Sequence, residues 1–296
     1  MFGRRAISRV LAGVILIMAA VAEIEHVPAP WNLKGTAYIL TYWSSTDAEG
    51  KLPSMAYSPL EYASPYASLD NGRPLGGISM LQLIRYTESP VGPYDEFIIS
   101  PGKHEYEVEE NGATVKASHH RITRIYVSQK YTCWNGRTNW NIPKHLAKFD
   151  WTTGSNGEVS VKIYPHDTGG DPSEANPSEA AFFQATFKKV PLLPSFPLSL
   201  SILKYLGQDP KLVQPPLPKG NGSQSELPGT DQWSSVDPGQ SSPKTSLGWF
   251  DIKQSEESSN ENFWPGLGRW QLGFVMENSD INFPEGAHWD SLSLKK

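Results

Sequence analysis

The sequence has little of what holds small proteins or metal sites together through covalent or coordinate bonds. Its single cysteine, Cys133, excludes an internal disulfide and every zinc site built from several cysteines. His119 and His120 are adjacent, so on a strand they point to opposite faces and cannot both bind one metal ion. Nothing in the sequence therefore requires a metal or another cofactor.

The sequence also lacks a strong excess of either charge, and several well-known catalytic motifs are missing. The 26 basic and 31 acidic side chains give a formal net charge of −5, and the basic residues form no stripe, which argues against a nucleic-acid partner. The chain has neither a Gly-x-Ser-x-Gly elbow nor a glycine-rich phosphate loop. These absences disfavour a serine hydrolase and a nucleotide-binding enzyme.

The one long hydrophobic run covers residues 10–22 and follows an arginine-rich start. A basic stretch before an apolar one is the layout of a secretory signal, and Ala-Val-Ala at 20–22 resembles a cleavage site. A membrane span needs about 20 apolar residues, more than this run has. Three alternatives therefore stay open for residues 1–26. They are a signal peptide, an anchor that associates with a membrane if it is not cleaved, or else a buried core segment or the product of a mistaken gene start. The compartment stays open between the secretory pathway, the membrane and the cytoplasm.

From residue 27 onward the composition is that of a β-rich domain. Hydrophobic residues make up 38% of the chain, enough for a core. The 25 Gly and 25 Pro residues interrupt long helices, and the 11% of aromatic residues favour strands. We predict a mainly β fold with few short helices, in one domain over residues 27–296.

Hydrophobic periodicity places the elements of this domain along the chain. Alternating or β-branched runs predict five strands, at residues 36–43, 78–85, 121–128, 159–164 and 274–277. Residues 97–100 are predicted as a short strand or a turn, and residues 180–190 as a strand or a short helix. Short helices are predicted near 143–149 and 198–206. Residues 207–247, rich in Pro, Gly, Ser and Gln, are predicted as a long surface loop or flexible insertion.

Two segments carry side chains suited to chemistry. In residues 85–96, Glu88 lies at the end of a strand that is predicted to be buried, directly before a rigid turn. Loops that are fixed to a rigid scaffold often hold functional groups, so Glu88 is a candidate site residue. Residues 136–147 place Lys144 among apolar neighbours. From these residues alone, Glu88 is also consistent with a salt-bridge or turn-capping acid, and Lys144 with a surface lysine.

A lysine among apolar residues is able to carry out covalent chemistry. In water the pKa of a lysine side chain is about 10.4, so the neutral amine is rare at pH 7. Removal from water disfavours the ammonium ion and increases the share of neutral amine. The amine then attacks a ketone and forms a Schiff base, which withdraws electrons as a cofactor would. A β-keto acid bound in this way loses CO2 readily.

The same two segments resemble the two signature regions of the acetoacetate decarboxylase-like superfamily, in the same order. The resemblance rests on Tyr-Thr-Glu-Ser at 86–89 and on Gly-Arg … Pro-Lys-x-Leu at 136–146. Residues 30–35 (Pro-Trp-Asn-Leu-Lys-Gly) resemble the opening segment of eukaryotic members. The resemblance implies a curved, barrel-like antiparallel sheet around a hydrophobic funnel, and a large homo-oligomer.

The resemblance also assigns roles to residues. Lys144 corresponds to the Schiff-base lysine and Glu88 to an acid that lines the site. His145 stands where decarboxylases have a second lysine, and residues 35–38 lack the arginine that receives the substrate carboxylate. A further acid of the family has no counterpart, and Glu96 is the substitute that the chain offers.

Two arginines are further substrate-binding candidates beside Glu96 and His145. Arg85 or Arg137 would bind a carboxylate from another direction, or would form a packing salt bridge. The funnel without the family's arginine is expected to prefer a larger, less polar keto compound.

The function implied by the resemblance is a lyase that decarboxylates a β-keto acid or a polyketide-like carbonyl compound through a lysine Schiff base. Such an activity would fit secondary metabolism. Two alternatives stay open: a Schiff-base aldolase-dehydratase, and a non-catalytic small-molecule-binding protein with the same fold.

Overall fold

In the computed structural model, residues 23–206, 209–252 and 267–290 are described. The hydrophobic run at 10–22, with the rest of residues 1–22, lies outside the described residues. Within the described ranges, no helix is both long and apolar enough to cross a membrane.

Strands make up most of the described chain, and helices are few. The strands are β1 Trp31–Ser44, β2 Arg73–Glu88, β3 Tyr94–Ser100, β4 Lys103–Glu110, β5 Ala113–His120, β6 Arg124–Val127, β7 Lys144–Thr153, β8 Val159–Pro165, β9 Phe183–Lys189, β10 Phe196–Ser199, β11 Leu212–Gln214, β12 Trp233–Val236, β13 Gly239–Ile252, β14 Trp270–Phe283 and β15 Ala287–Trp289. The α-helices are α1 Pro59–Tyr62 and α2 Lys130–Trp140, and short 3-10 turns cover Ser54–Ala56, Pro65–Ala67, Leu69–Asn71 and Leu200–Leu206.

Nine of the strands close into a barrel. The order is β1-β14-β13-β9-β8-β7-β6-β3-β2, and the pairing of β2 with β1 completes the ring. Every barrel pair is antiparallel except β6 with β7, which are parallel and joined through α2. A helical crossover is the usual way to connect parallel neighbours. The predicted mainly β, barrel-like architecture is confirmed, with one parallel pair in a sheet predicted to be antiparallel.

A second sheet continues from the first half of β2. There β2 pairs with β4, and the order runs on through β5, β11, β12 and β15. Leu212 of β11, Val236 of β12, and Cys133 and Trp140 of α2 pack with apolar side chains of the barrel strands and so cover one face of the barrel wall.

Alternation along the strands divides the apolar side chains between two cores. All nine barrel strands contribute to one cluster, which therefore fills the inside of the barrel and includes Leu40, Leu81, Phe97, Ile163 and Phe183. The other cluster lies between the barrel wall and its outer cover, and includes Ile39, Ile84, Ile98, Ile125 and Trp140. The side chains of the functional site belong to this second face.

Most predicted strands lie within observed strands, but the prediction of a helix at 143–149 is wrong. Strand β7 begins at Lys144 and pairs with β6, in the register Ile125 to Lys144 and Val127 to Leu146. The helix of this region lies upstream and ends at Asn141, whose left-handed φ of 52° turns the chain. Long-range pairing with β6 thus overrides a local sequence without a clear strand pattern.

The prediction of a flexible insertion at 207–247 also differs from the structure, which describes this segment from residue 209. Strands β11 and β12 lie in it, and Leu217, Leu227 and Trp233 are buried. Carbonyl groups of the segment accept hydrogen bonds from Arg137 and Asn141. A segment poor in apolar residues is therefore held in place by buried polar side chains from elsewhere in the chain.

Candidate active site

Lys144, the first residue of β7, is a buried amine in a space lined mainly by apolar side chains. Its relative exposure is 4%. The Nζ donates hydrogen bonds to Glu96 Oε2 at 2.7 Å and to Thr132 Oγ1 at 3.0 Å. The centre of the Tyr94 ring lies 5.2 Å from Nζ. This placement excludes the surface-lysine alternative and agrees with the prediction of an amine removed from water.

Three elements meet at the amine. Strand β3 brings Glu96, β7 brings Lys144, and α2 brings Thr132. Helix α2 begins where the Gln129 side chain accepts hydrogen bonds from the backbone N–H groups of Tyr131 and Thr132.

Gly136 makes room for the lysine side chain. It lies four residues after Thr132 and so on the same face of the helix. A methyl group at Gly136 would come within 2.6 Å of Lys144 Cδ and 2.7 Å of Cε. The glycine in the Gly-Arg part of the second signature is thus explained by the close approach of α2 to Lys144.

A tyrosine pair supports the carboxylate of Glu96. Tyr86 on β2 donates a hydrogen bond from its hydroxyl to Glu96 Oε1 at 2.9 Å, and its ring packs 4.4 Å from that of Tyr94. Burial raises the pKa of Tyr86 well above its usual value, and the Glu96 carboxylate raises it further. Tyr86 therefore stays a donor, and both oxygens of Glu96 are engaged.

The space beside Lys144 is small but adjoins a larger cavity. About 10 Å³ is open at the amine, room for about one water molecule. The neighbouring cavity of about 160 Å³ is lined mainly by apolar side chains. Ile98, Ile122 and Phe283 line both spaces. The two spaces therefore share part of their wall, and the larger, mainly apolar cavity lies next to the amine.

Glu88 does not lie at this site. Its side chain is 66% exposed and pairs with Lys34 at 3.5 Å. A β-bulge in the pairing of β1 with β2 falls between Gly35 and Lys34, next to this end of the strand. Glu88 lies beyond the bulge, past the cover that buries Tyr86. The structure thus places Glu88 in a surface salt bridge, and Glu96, the predicted substitute, is the acid beside Lys144.

The two arginines predicted as substrate ligands are not at the amine either. The Arg85 side chain is about half exposed, with its Nε 3.7 Å from Asp95 Oδ1, and lies over the Trp151 ring. Arg137 is fully buried and binds Glu61 Oε1 at 2.9 Å. It also donates to the backbone carbonyl of Lys144 at 3.2 Å. Arg137 therefore holds the backbone of the site, and both arginines form the packing salt bridges of the alternative prediction.

His145 points to the opposite face of β7 from Lys144, because neighbouring residues on a strand alternate. Its Nε2 lies 2.7 Å from Glu61 Oε2, and its Nδ1 lies 2.9 Å from Glu174 Oε2. Burial alone would lower the pKa of His145, but the Glu61 and Glu174 carboxylates outweigh it and raise the pKa to about 10. His145 is thus a buried cation in an ion-pair network and does not contact the space at Lys144.

Sequence reasoning missed Thr132, Gly136 and the two tyrosines as parts of the site. Gly136 and Tyr86 lie within the signature segments, but only the folded chain shows what they contact. No group of three or more His, Cys, Asp or Glu side chains in the described ranges is arranged to hold a metal ion.

Comparisons with known proteins identify the fold. No family model matches the chain, and neither does any curated protein sequence. Among solved structures, the chain is similar to the acetoacetate decarboxylase of Legionella pneumophila subsp. pneumophila str. Philadelphia 1. The TM-score is 0.55 at 14% identity, over 97% of this chain and 99% of that one. A second acetoacetate decarboxylase structure gives a TM-score of 0.52 at 11% identity, over 90% and 92% of the two chains. The chain therefore has the acetoacetate decarboxylase-like fold predicted from its two signature segments.

Proposed function

We propose that this chain, with its acetoacetate decarboxylase-like fold, is a lyase that forms a Schiff base between Lys144 and a carbonyl substrate. The reaction that we propose is decarboxylation of a β-keto acid or of a related polyketide-like compound. The observation that carries the proposal is the buried Lys144 amine 2.7 Å from the Glu96 carboxylate, next to a mainly apolar cavity. The resemblance of the fold to decarboxylases supports the same reaction.

The pair of Lys144 and Glu96 provides a way to make a neutral amine. Burial disfavours both the ammonium and the carboxylate ion, while their mutual attraction favours both. Transfer of one proton from Nζ to Oε2 removes both charges from a site with little water. The apolar chain of a bound substrate excludes water further, which favours this neutral pair.

The remaining steps use the same two groups. The Lys144 nitrogen attacks the ketone carbon, and loss of water, with the proton from Glu96, forms the protonated imine. The bond between the α-carbon and the carboxylate then breaks, CO2 leaves, and the electron pair moves into the imine to give an enamine. One proton from solvent then adds to the enamine carbon and regenerates the protonated imine. Hydrolysis of this imine releases the ketone and the amine, and the proton returns to Glu96.

Charge at the site agrees with this order of events. Apart from Lys144, no lysine or arginine lines the space at the amine within the described chain, and Glu96 is the acid there. A substrate carboxylate is therefore not stabilised by a resident cation. This favours CO2 loss, because the departing group gives up its negative charge as the bond breaks.

The same lack of a cation favours a second candidate. A carbonyl substrate without a carboxylate would suit the site at least as well, and an imine at Lys144 would then support aldol bond formation or dehydration. Release of CO2 distinguishes the first candidate, and loss of water or a new carbon–carbon bond distinguishes the second.

Trapping of the imine tests both candidates. The protein is incubated with β-ketohexanoate and borohydride, and the modified peptide is identified by mass. We expect a reduced adduct on Lys144 and none in the Lys144→Met variant. Lys148→Met is the matched control, because Lys148 lies on the same strand but is exposed and pairs with Asp150.

Two results would refute the Schiff-base proposal. One is an adduct spread over exposed lysines, and the other is substrate turnover without any adduct on Lys144. Binding of β-ketohexanoate without adduct or turnover would instead point to a small-molecule-binding protein with this fold.

A further inference from the structure

We propose that Gln82 selects the substrate by accepting a hydrogen bond from a hydroxyl or N–H group on an otherwise neutral, apolar chain attached to the reacting carbonyl. This inference rests on the proposed Schiff-base chemistry at Lys144 and names the substrate class of that site. Gln82 would act as a specificity-determining residue.

Gln82 and Lys144 occupy the two ends of one row across the barrel wall. Gln82 on β2 is in register with Ile98 on β3, Ile98 with Ile125 on β6, and Ile125 with Lys144 on β7. Three strand spacings separate the two ends, about 14 Å between Cα atoms on a flat sheet. Two isoleucines therefore lie between the amine and the amide, which suits an apolar linker in the substrate.

The amide of Gln82 is buried and incompletely paired. Its relative exposure is 7%. The Nε2 contacts the Met80 sulfur at 3.3 Å, whereas Oε1 finds no hydrogen-bond partner among the described residues. Buried polar atoms nearly always have a hydrogen-bond partner. We therefore expect this carbonyl oxygen to accept a hydrogen bond from a molecule bound in the cavity.

Three hydroxyl groups in the cavity wall are already bonded within the protein. The Ser79 hydroxyl lies within hydrogen-bond distance of the Ser44 hydroxyl and of the Gly77 carbonyl, and the Ser100 hydroxyl donates to the Arg121 carbonyl. Tyr86 donates to Glu96. Gln82 Oε1 is thus the buried acceptor of this wall that has no partner among the described residues.

The charges around the cavity argue for a neutral chain. No lysine or arginine lines it in the described part of the structure, and its ionisable groups besides Tyr86 are Asp209 and His120. A second carboxylate at the far end of the substrate would meet Asp209 without a permanent cation. A hydroxyl or amide N–H needs no counter-charge and matches an acceptor oxygen.

The test compares substrates with and without a donor at the far end. β-Ketohexanoate and β-ketooctanoate are measured against their ω-hydroxy forms in the wild type and in Gln82→Met, which keeps an unbranched side chain but removes the amide. We expect the wild type to prefer one of the hydroxylated chains by about tenfold or more in kcat/KM, as for a site that hydrogen-bonds its substrate. Gln82→Met is expected to lose that preference.

Gln240→Met is the matched control for this substitution. Gln240 lies in the same cavity wall but is only partly buried, and its Nε2 contacts the Met276 sulfur at 3.7 Å. We expect this variant to keep the wild-type preference. Equal kcat/KM values for plain and hydroxylated chains in the wild type, or a preference that survives in Gln82→Met, would overturn the assignment.

Binding measurements separate this inference from the proposed reaction. The dissociation constants of two ketones without a carboxylate, a methyl ketone and its ω-hydroxy form, are measured by calorimetry on the Lys144→Met background, with and without Gln82→Met. A preference for the hydroxy ketone that disappears with Gln82 supports the role of Gln82 even if no adduct ever forms at Lys144. An adduct at Lys144 without such a preference would support the Schiff-base proposal and refute the role of Gln82.

Discussion

Gly136 and Lys144 are in direct contact across the interface between α2 and β7. A Cβ atom added at Gly136 would lie 2.6 Å from Lys144 Cδ, closer than two carbon atoms approach without displacement. The neighbour is the flexible end of a side chain, so the lysine can move away while the fold is retained. The position of the amine therefore depends on the absence of a side chain on the helix.

The substitution Gly136→Ala is expected to displace the amine without unfolding the protein. Alanine favours a helix over glycine by about 1 kcal/mol, which offsets part of the strain. We expect borohydride trapping on Lys144 to fall tenfold or more while the melting temperature changes little. Thr138→Ala in the same helix, where the side chain bonds to the Trp134 carbonyl, serves as the control. Unchanged trapping in Gly136→Ala would show that the amine does not need its observed position.

Glu96→Gln is expected to slow the reaction strongly, because glutamine cannot take the proton of Lys144. Removal of a general acid or base typically lowers the rate by about 10²–10⁴-fold. The variant also leaves a buried ammonium ion without its partner, so unfolding by urea should show a stability loss of about 3–5 kcal/mol. Glu88→Gln is the matched control, since Glu88 lies in an exposed pair with Lys34. Loss of activity in Glu88→Gln with full activity in Glu96→Gln would reverse our assignment of the acid.

The pH dependence of stability should report on His145. Its pKa is about 10 in the folded state against an ordinary value of 6.5, so the folded chain binds the proton more tightly than the unfolded chain. The stabilisation is complete below about pH 6.5, declines as pH rises, and is lost above about pH 10.

His145→Gln removes this contribution and leaves Glu174 buried without its cation, whereas Glu61 keeps its ion pair with Arg137. We expect a loss of about 3–5 kcal/mol near neutral pH and a smaller difference from the wild type near pH 10. Urea unfolding of both proteins across this range checks the prediction. A difference that grows as pH rises would mean that His145 is neutral in the folded protein.

Asn141 is expected to hold the segment after residue 209 against the end of α2. Its Nδ2 donates to the carbonyls of Pro215 at 3.1 Å and Gln232 at 2.6 Å. Asn141→Gly keeps the left-handed backbone but loses these bonds, whereas Asn141→Ala also introduces backbone strain of about 1–2 kcal/mol. We therefore expect stability to fall in the order wild type, glycine variant, alanine variant. Limited proteolysis should show faster cleavage between residues 215 and 232 in both variants, and an alanine variant as stable as the glycine variant would argue against the strain.

Much of the barrel could be predicted from the sequence. The runs at 36–43, 78–85 and 159–164 alternate or are continuously apolar, and each lies within a strand of the closed barrel. The pattern depends on burial along each strand, which is a local property. The segment at 143–149 was different, because its strand forms through pairing with β6, and such a partner leaves no trace in the local pattern.

The lysine and the acid of the site differ in the same way. Two apolar sequence neighbours of Lys144, Trp140 and Ile142, also line the space at the amine. The local sequence left a surface lysine open, and the resemblance to the second signature segment favoured the buried amine. Glu88 and Glu96 both border the same turn, and nothing local distinguishes them.

The sequence by itself determined the mainly β architecture and singled out Lys144, because hydrophobic periodicity and apolar neighbours can be recognised in consecutive residues. Only the tertiary structure decided which carboxylate meets the amine. The reason is geometric. The chain returns along β3, which places Glu96 on the covered face of the barrel wall, whereas Glu88 lies past a bulge at an uncovered end of β2. The contacts of Gly136 and the buried amide of Gln82 likewise arise from strand register and helix docking, which depend on residues far apart in the chain.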